Sequence, residues 1–370
     1  MRALGAELRG TERGSHIAVT RRFAAPAMCR IGDRTCHLLA PPGIEEVGDP
    51  ERWLFLDTET TGLSGGTGTY AFLVGLAWWE GSELVVEQLF MREHSEEPSL
   101  LSDVARRLAE RRVVVTFNGK SFDWPLLETR FRMTRSGPIP RPRAHLDLLH
   151  PARRLWRFRL QSVALAELER EVLRLDRGGD IPSHTIPARY FEYLRGGPEE
   201  PIVEVFRHNA WDLRGLATLA VRIAGLLEAP EAAGADADEL YGISRLLHQC
   251  GEERLAQQGY QQALAFGLPK AAERMARREL ALLTRRQGDF PGANELWESL
   301  LGDSPDGIQA YEQLAIHYEH RARDRTRALA LTRAALIRLH DGHRSGRISP
   351  AQYERWHAAL RHRLSRLSRE

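Results

Sequence analysis

Five side chains in this sequence have the types and spacing for hydrolytic chemistry: Asp57, Glu59, Asp123, His208 and Asp212. Asp57 and Glu59 end the apolar run Trp53-Leu54-Phe55-Leu56, just ahead of Thr60-Thr61-Gly62-Leu63. An apolar run bounded by glycine-rich sequence reads as a buried strand. Residues i and i+2 of a strand share a face, so two carboxylates project side by side from the edge of a core. Close anions repel, and burying them is costly. Divalent cations are the usual remedy, because hard oxygen donors suit Mg²⁺ or Mn²⁺. A bare Asp-x-Glu is common in exposed loops, so the case depends on what lies downstream.

Two segments strengthen it. Asn118-Gly119-Lys120-Ser121-Phe122-Asp123 follows the short apolar run 113–117. Asp123 is predicted at a strand-to-helix junction, where a third carboxylate can face the first two. Asn118 suits tying down the turn or contacting substrate. Farther on, His208 and Asp212 stand four apart in a long helical pattern and share its face. An imidazole of ordinary pKa near 6.5 beside a fourth carboxylate could accept or orient a water's proton near neutral pH.

Other residues are weaker candidates. Lys120 could meet a phosphate as a point charge. Arg153, Arg154 and Arg157 sit on adjacent helical turns and could grip a phosphate backbone, or form a solvated face. Asp147 could support the acids or cap the helix that follows. Phe122 and Trp124 flank Asp123 and could stack on a base or pack in the core. Gly65-Gly66-Thr67-Gly68 joins two predicted strands, so it is read as a hairpin turn rimming the site rather than a phosphate cradle.

The elements that must position these groups read as follows. Strands are predicted over 53–57, 70–79 and 83–91, a helix over 98–111, a strand over 113–117, a helix over 122–132, a strand over 146–149 and a long helix over 202–227. That order makes a mixed sheet with helices on its faces. Residues 1–50 read as an extended lead-in with a strand or two. Residues 229–238, rich in Ala, Gly, Pro and acids, read as a linker. Everything beyond is helical. Ala281 and Ala315 are 34 apart; Asp289 and Asp324, and Ala293 and Ala328, are 35 apart. A period near ~34 with small residues at helix crossings is the tetratricopeptide pattern. Leu247, Ala256, Tyr260 and Ala263 suggest an earlier, degenerate unit.

Composition bounds the rest. The 370 residues, 42% hydrophobic, suffice for two domains. No run of ~18 apolar residues and no apolar leader occurs, so a cytoplasmic protein without a membrane span is expected. Three cysteines, with Cys29 and Cys36 too far apart for a knuckle pair, argue against a disulfide scaffold and a structural zinc. The net charge of +2 does not discriminate between partners. Almost every basic residue is Arg, whose fork suits phosphate.

Acid pair, third acid after a later strand, then His and acid on a late helix: as a set these resemble the DEDD exonucleases of the ribonuclease H-like superfamily. The Asn118–Asp123 spacing is similar to the proofreading domains of family B polymerases. The closer resemblance is to the YprB-like group, through residues 56–70, 117–123, 145–154, Asp180-Ile181-Pro182 and His208–Asp212, and the helical tail also fits that group. The resemblance implies a ribonuclease H-like domain over 51–228 and a tetratricopeptide-like domain over 239–370. It implies a two-metal 3′→5′ exonuclease on single-stranded DNA or RNA ends. Asp57, Glu59, Asp123 and Asp212 would hold two Mg²⁺ or Mn²⁺ ions, with Asn118, Lys120, Arg153 and Arg154 on the substrate and the helical tail available to a protein partner. One departure stands out. DEDD enzymes carry Tyr four residues, or His five residues, before the last Asp; here a His holds the Tyr position. A ribonuclease H-like endonuclease, and a binding module with a vestigial site, are the competing readings.

Overall fold

The run Ala71–Trp79 is apolar almost without a break, as a strand covered on both faces requires. It lies near the middle of one seven-stranded sheet. A computed structural model of the chain describes every residue except 1–3, 25–27, 42, 63–66, 303–306 and 370. The first part comprises β1 (Glu7–Thr11), β2 (Gly14–Ala24), α1 (Asp33–Leu39), β3 (Trp53–Thr60), β4 (Ala71–Glu80), β5 (Glu83–Phe90), α2 (Glu97–Glu110), β6 (Val113–Thr116), α3 (Asp123–Met133), β7 (Ala144–Asp147), α4 (Leu149–Trp156), α5 (Leu165–Leu168), α6 (Ile186–Leu194) and α7 (Glu200–Glu228). The strands run in the order β1-β2-β5-β4-β3-β6-β7. The pairs from β1 to β3 are antiparallel; β3, β6 and β7 are parallel.

Residues 7–24, read from sequence as a lead-in with a strand or two, extend this same sheet past β5. The seventh strand is shifted. It ends at Asp147 instead of reaching Leu149, because Asp147 Oδ1 accepts the Leu149 N–H at 3.1 Å and turns the chain into α4. Part of the predicted glycine hairpin, residues 63–66, lies outside the described residues.

The alternation of β5 shows how the two faces are used. Gln88 points to one face and reaches α7, donating to the Phe206 carbonyl at 2.8 Å. Glu87 points to the other and meets Arg107 of α2 at 2.7 Å. The core between holds Phe72, Phe90, Tyr190 and Phe206, with Tyr190 stacked on Phe72 at 4.0 Å.

The chain forms two compact units, Met1–Ala235 and Asp236–Glu370. Among its described residues the second unit holds only helices: α8 (Ala237–Gln249), α9 (Glu253–Phe266), α10 (Lys270–Arg286), α11 (Phe290–Ser299), α12 (Ile308–His320), α13 (Arg325–Arg344) and α14 (Pro350–Leu367). Consecutive helices pack in pairs. The periodic residues fall at equivalent places. Ala281, Ala293, Ala315 and Ala328 are buried where helices meet, and Asp289 and Asp324 cap α11 and α13 by accepting the Gly292 and Arg327 N–H groups. No described helix is long and apolar enough to cross a membrane.

Candidate metal centre

The parallel strands β3 and β6 point their carboxyl ends to one edge of the sheet, where open α/β folds hold ligands. Asp57 and Glu59 occupy that end of β3. Thr58, between them, faces the opposite way by strand alternation. Its hydroxyl donates to Asp123 Oδ1 at 2.6 Å, which fixes the third acid at the start of α3. α7 crosses the Asp57 face and brings His208 and Asp212 there. Ligand atoms of Glu59, His208 and Asp212 all lie within 4.8 Å of one another.

One glycine lets α7 come so close. Asp57 pairs across the sheet with Gly75, and Gly75 with Gln88. Asn209 lies over this row. A Cβ built on Gly75 would stand 2.2 Å from Asn209 Oδ1. The space left by the missing side chain lets Asn209 Nδ2 donate to Asp57 Oδ2 at 2.7 Å, while Gln88 Nε2 donates to Asn209 Oδ1 at 2.9 Å. Arg21 in turn holds Gln88 Oε1 at 2.9 Å. The orientation of Asp57 is therefore set by a chain of buried amides.

His208 is clamped. Its Nδ1 lies 2.8 Å from Asp180 Oδ1, and its Nε2 lies 3.2 Å from Asp212 Oδ2 and 3.4 Å from the Ser183 hydroxyl. Arg177, on the loop before Asp180, donates to Glu169, Asp180 and Asp212.

The electrostatics follow from crowding. Burial, then the charges of Asp212, Glu59 and Asp123, push the Asp57 carboxyl well above its ordinary value. Burial pushes Glu59 up to about 8; Asp212 and Asp123 add to this while His208 opposes it. Burial likewise raises Asp123, against the hydrogen bond from Thr58. Burial opposes a charge on His208, yet Asp212, Glu59 and Asp180 outweigh it and push the imidazole up to about 10. An imidazole between carboxylates on both nitrogens donates from both, unlike the free histidine titrating near 6.5 expected from sequence. The donors fit a divalent cation: buried oxygens that repel one another, one imidazole beside them, and no hydrogen bond to the Glu59 carboxylate among the described residues.

The second motif is a turn built around Asp147. Its buried carboxylate accepts the Asn118 N–H at 2.7 Å and the Lys120 N–H at 3.1 Å. It thus supports the loop beside Asp123 and the start of α4 together. Asn118 is left-handed (φ 66°), and a Cβ on Gly119 would stand 2.5 Å from Thr116 Cβ. That turn needs Asn-Gly for backbone reasons. Lys120 is exposed beside it. Arg153 is exposed and Arg154 half-buried on α4, which opens from the carboxyl end of β7. Phe122 is 59% exposed, whereas Trp124 packs against the core.

Sequence reasoning assigned no role to Asp180, Arg177, Glu169, Asn209, Gln88 or Thr58. Thr58, Asp180 and Asn209 lay inside segments that resembled the YprB-like group. The other three carried no local signal.

Comparison with known proteins agrees with this architecture. A family model described as RNase_H superfamily matches residues 54–224. The YprB protein of Bacillus subtilis (strain 168), itself described as uncharacterized, is 30% identical over 289 residues, 76% of this chain and 68% of its own. The family B DNA polymerase from the archaeon Pyrobaculum calidifontis aligns at 16% identity and a TM-score of 0.35, over 54% of this chain and 29% of the polymerase, so this chain spans under a third of it. With the acid pair on β3, the clamped His208 and the mixed sheet, the relation to the Bacillus protein places this chain in the YprB-like family of ribonuclease H-fold proteins.

Proposed function

We propose that this protein is a metal-dependent 3′→5′ exonuclease acting on single-stranded nucleic acid. The observation that carries the reading is the convergence of β3 and α7 at the carboxyl edge of the sheet: buried Glu59 and His208 lie with half-buried Asp212 within ligand reach of one another, Asp57 shares the Glu59 face of β3, and Thr58 holds Asp123. Asp57, Glu59, Asp123 and Asp212 would hold Mg²⁺ or Mn²⁺. Two such ions, when bound, activate a water and stabilise the leaving oxygen in an in-line displacement. The chain's own groups do the rest. Asn209 keeps Asp57 oriented. Asp180 fixes His208 by Nδ1, so that Nε2 is aimed at Asp212; cations bound on the carboxylates would offset the negative charge that keeps the ring doubly protonated, leaving Nε2 to hold or pass the proton of the attacking water. Exposed Phe122 offers a stacking face next to Asp123. Lys120, the Asn118 turn, Arg153 and Arg154 would engage phosphates. The helical unit would serve as a tetratricopeptide-like platform for a protein partner.

The test is a panel of 5′- and 3′-labelled DNA and RNA strands with Mg²⁺ or Mn²⁺, run with wild type and Asp57→Ala. Wild type should shorten 5′-labelled strands stepwise and release labelled mononucleotide from 3′-labelled ones. Circular strands should survive. Equal degradation by Asp57→Ala, or cutting of circles, refutes the reading.

A further inference from the structure

The loop between α5 and α6 inserts a guanidinium into the wall of the centre. The side chain of Arg177 is only 12% exposed. It donates through Nε and Nη2 to Glu169, through Nη1 to Asp180 Oδ2 at 2.9 Å, and through Nη2 to Asp212 Oδ1. The backbone is shaped for this. Arg174 is left-handed (φ 56°), and Gly178 and Gly179 both have positive φ. α7 is shaped for it too. A Cβ on Gly215 would stand 1.6 Å from Glu169 Oε1, so this glycine leaves a notch in which the Glu169 carboxylate, and the guanidinium on it, lie against the helix one turn beyond Asp212.

An asymmetry results. Asp212 is engaged on both oxygens, Oδ1 by Arg177 and Oδ2 by His208 Nε2 at 3.2 Å. Glu59 accepts no hydrogen bond among the described residues, and Asp57 is held by Asn209 through Oδ2. One side of the centre is open to a cation; the other already carries a fixed positive charge. That charge can leave Asp212 without being stranded, because two of its three carboxylate partners would remain.

We propose that Arg177 is a built-in counter-ion at the Asp212 side of the centre, so that the protein takes one divalent ion readily and a second only as Arg177 gives up Asp212. This rests on the metal-centre reading above. Arg177 is a positioning residue: it acts through Asp212 and not on substrate. A fixed monovalent cation beside a carboxylate weakens the binding of a divalent one there by repulsion and by occupying a lone pair.

The test is titration of Mn²⁺ into the full chain without nucleic acid, with free Mn²⁺ counted by electron paramagnetic resonance. Wild type, Arg177→Gln and Arg177→Lys are compared, with thermal unfolding run on each. Wild type should hold one Mn²⁺ tightly and a second at least tenfold more weakly. Arg177→Gln should tighten the second tenfold or more. Arg177→Lys, a point charge that cannot fork over three carboxylates, should tighten it by a smaller factor. Variant isotherms that superimpose on wild type, or a second ion lost in the variants, overturn the proposal. If Arg177→Gln does not fold, an unchanged second affinity in Arg177→Lys overturns it alone. No Mn²⁺ bound in any variant removes both this proposal and the metal reading. The expected shift in a protein that cleaves no nucleic acid leaves the proposal standing and removes only the nuclease.

Discussion

Gly75 and Asn209 form a pair whose energetics follow from geometry. The three atoms nearest a Cβ at position 75 are Asn209 Oδ1, Cγ and Nδ2, at 2.2, 2.8 and 2.8 Å. Both residues are buried, and Asn209 is fully enclosed. Gly75→Ala therefore overpacks a site with no slack, at about 1–3 kcal/mol. It also pushes the amide off Asp57 and Gln88, leaving buried polar atoms unpaired at about 1–3 kcal/mol. Asn209→Ala removes all three clashing atoms and costs the hydrogen bonds alone. In the Asn209→Ala background, Gly75→Ala should then cost almost nothing. The double variant should be about as stable as Asn209→Ala, a coupling of about 2–6 kcal/mol, the whole cost of Gly75→Ala alone. Hydrogen exchange of peptides covering β3–β5 in the full chain reads the local opening energy. Additivity of the two substitutions within ~0.5 kcal/mol, the behaviour of independent sites, would show that Asn209 does not rest on Gly75.

Asp57→Asn should abolish hydrolysis yet raise the unfolding temperature of the cation-free protein, since burial and like charges disfavour the Asp57 carboxylate in the fold; a lower temperature in chelator contradicts this. His208→Ala should slow hydrolysis by about 10²–10⁴-fold, the range of general acid–base groups, and an unchanged rate removes His208 from the mechanism. Burial would raise Glu87 and Asp103, but Arg107 and Arg9 on the first, and His16 and Arg9 on the second, hold both below the usual range. Depressed folded values mean stability that is present above the ordinary carboxylate range of about 4 and is lost as pH falls through the folded values. The urea midpoint should fall between pH 5 and pH 3, and less steeply in Arg9→Ala; parallel slopes refute the assignment. Asp289→Ala and Asp324→Ala should each destabilise the helical unit by about 1 kcal/mol through a lost cap, read as a drop in urea midpoint of helical circular dichroism.

What could be read from the chain alone follows short-range rules. The two-residue repeat of a strand puts Asp57 and Glu59 on one face, and the helical repeat does the same for His208 and Asp212. The spacing of Ala281, Ala293, Ala315 and Ala328 marked helix contacts for the same reason, as equal steps along equal units bring small residues to equal crossings. Local rules give a direction for each side chain but no partner. Only the packed molecule set Asn209 over Gly75, across 134 positions. It also turned Thr58 toward Asp123, threaded Arg177 between three carboxylates, and made Asp147 the anchor of a loop and a helix at once. Each of those contacts depends on where a sheet twists and how closely a helix lies on it. Backbone proximity of that kind is decided by volume, such as a Cβ missing at Gly75, Gly119 or Gly215, and a pattern of polar and apolar letters does not carry volume across the sequence.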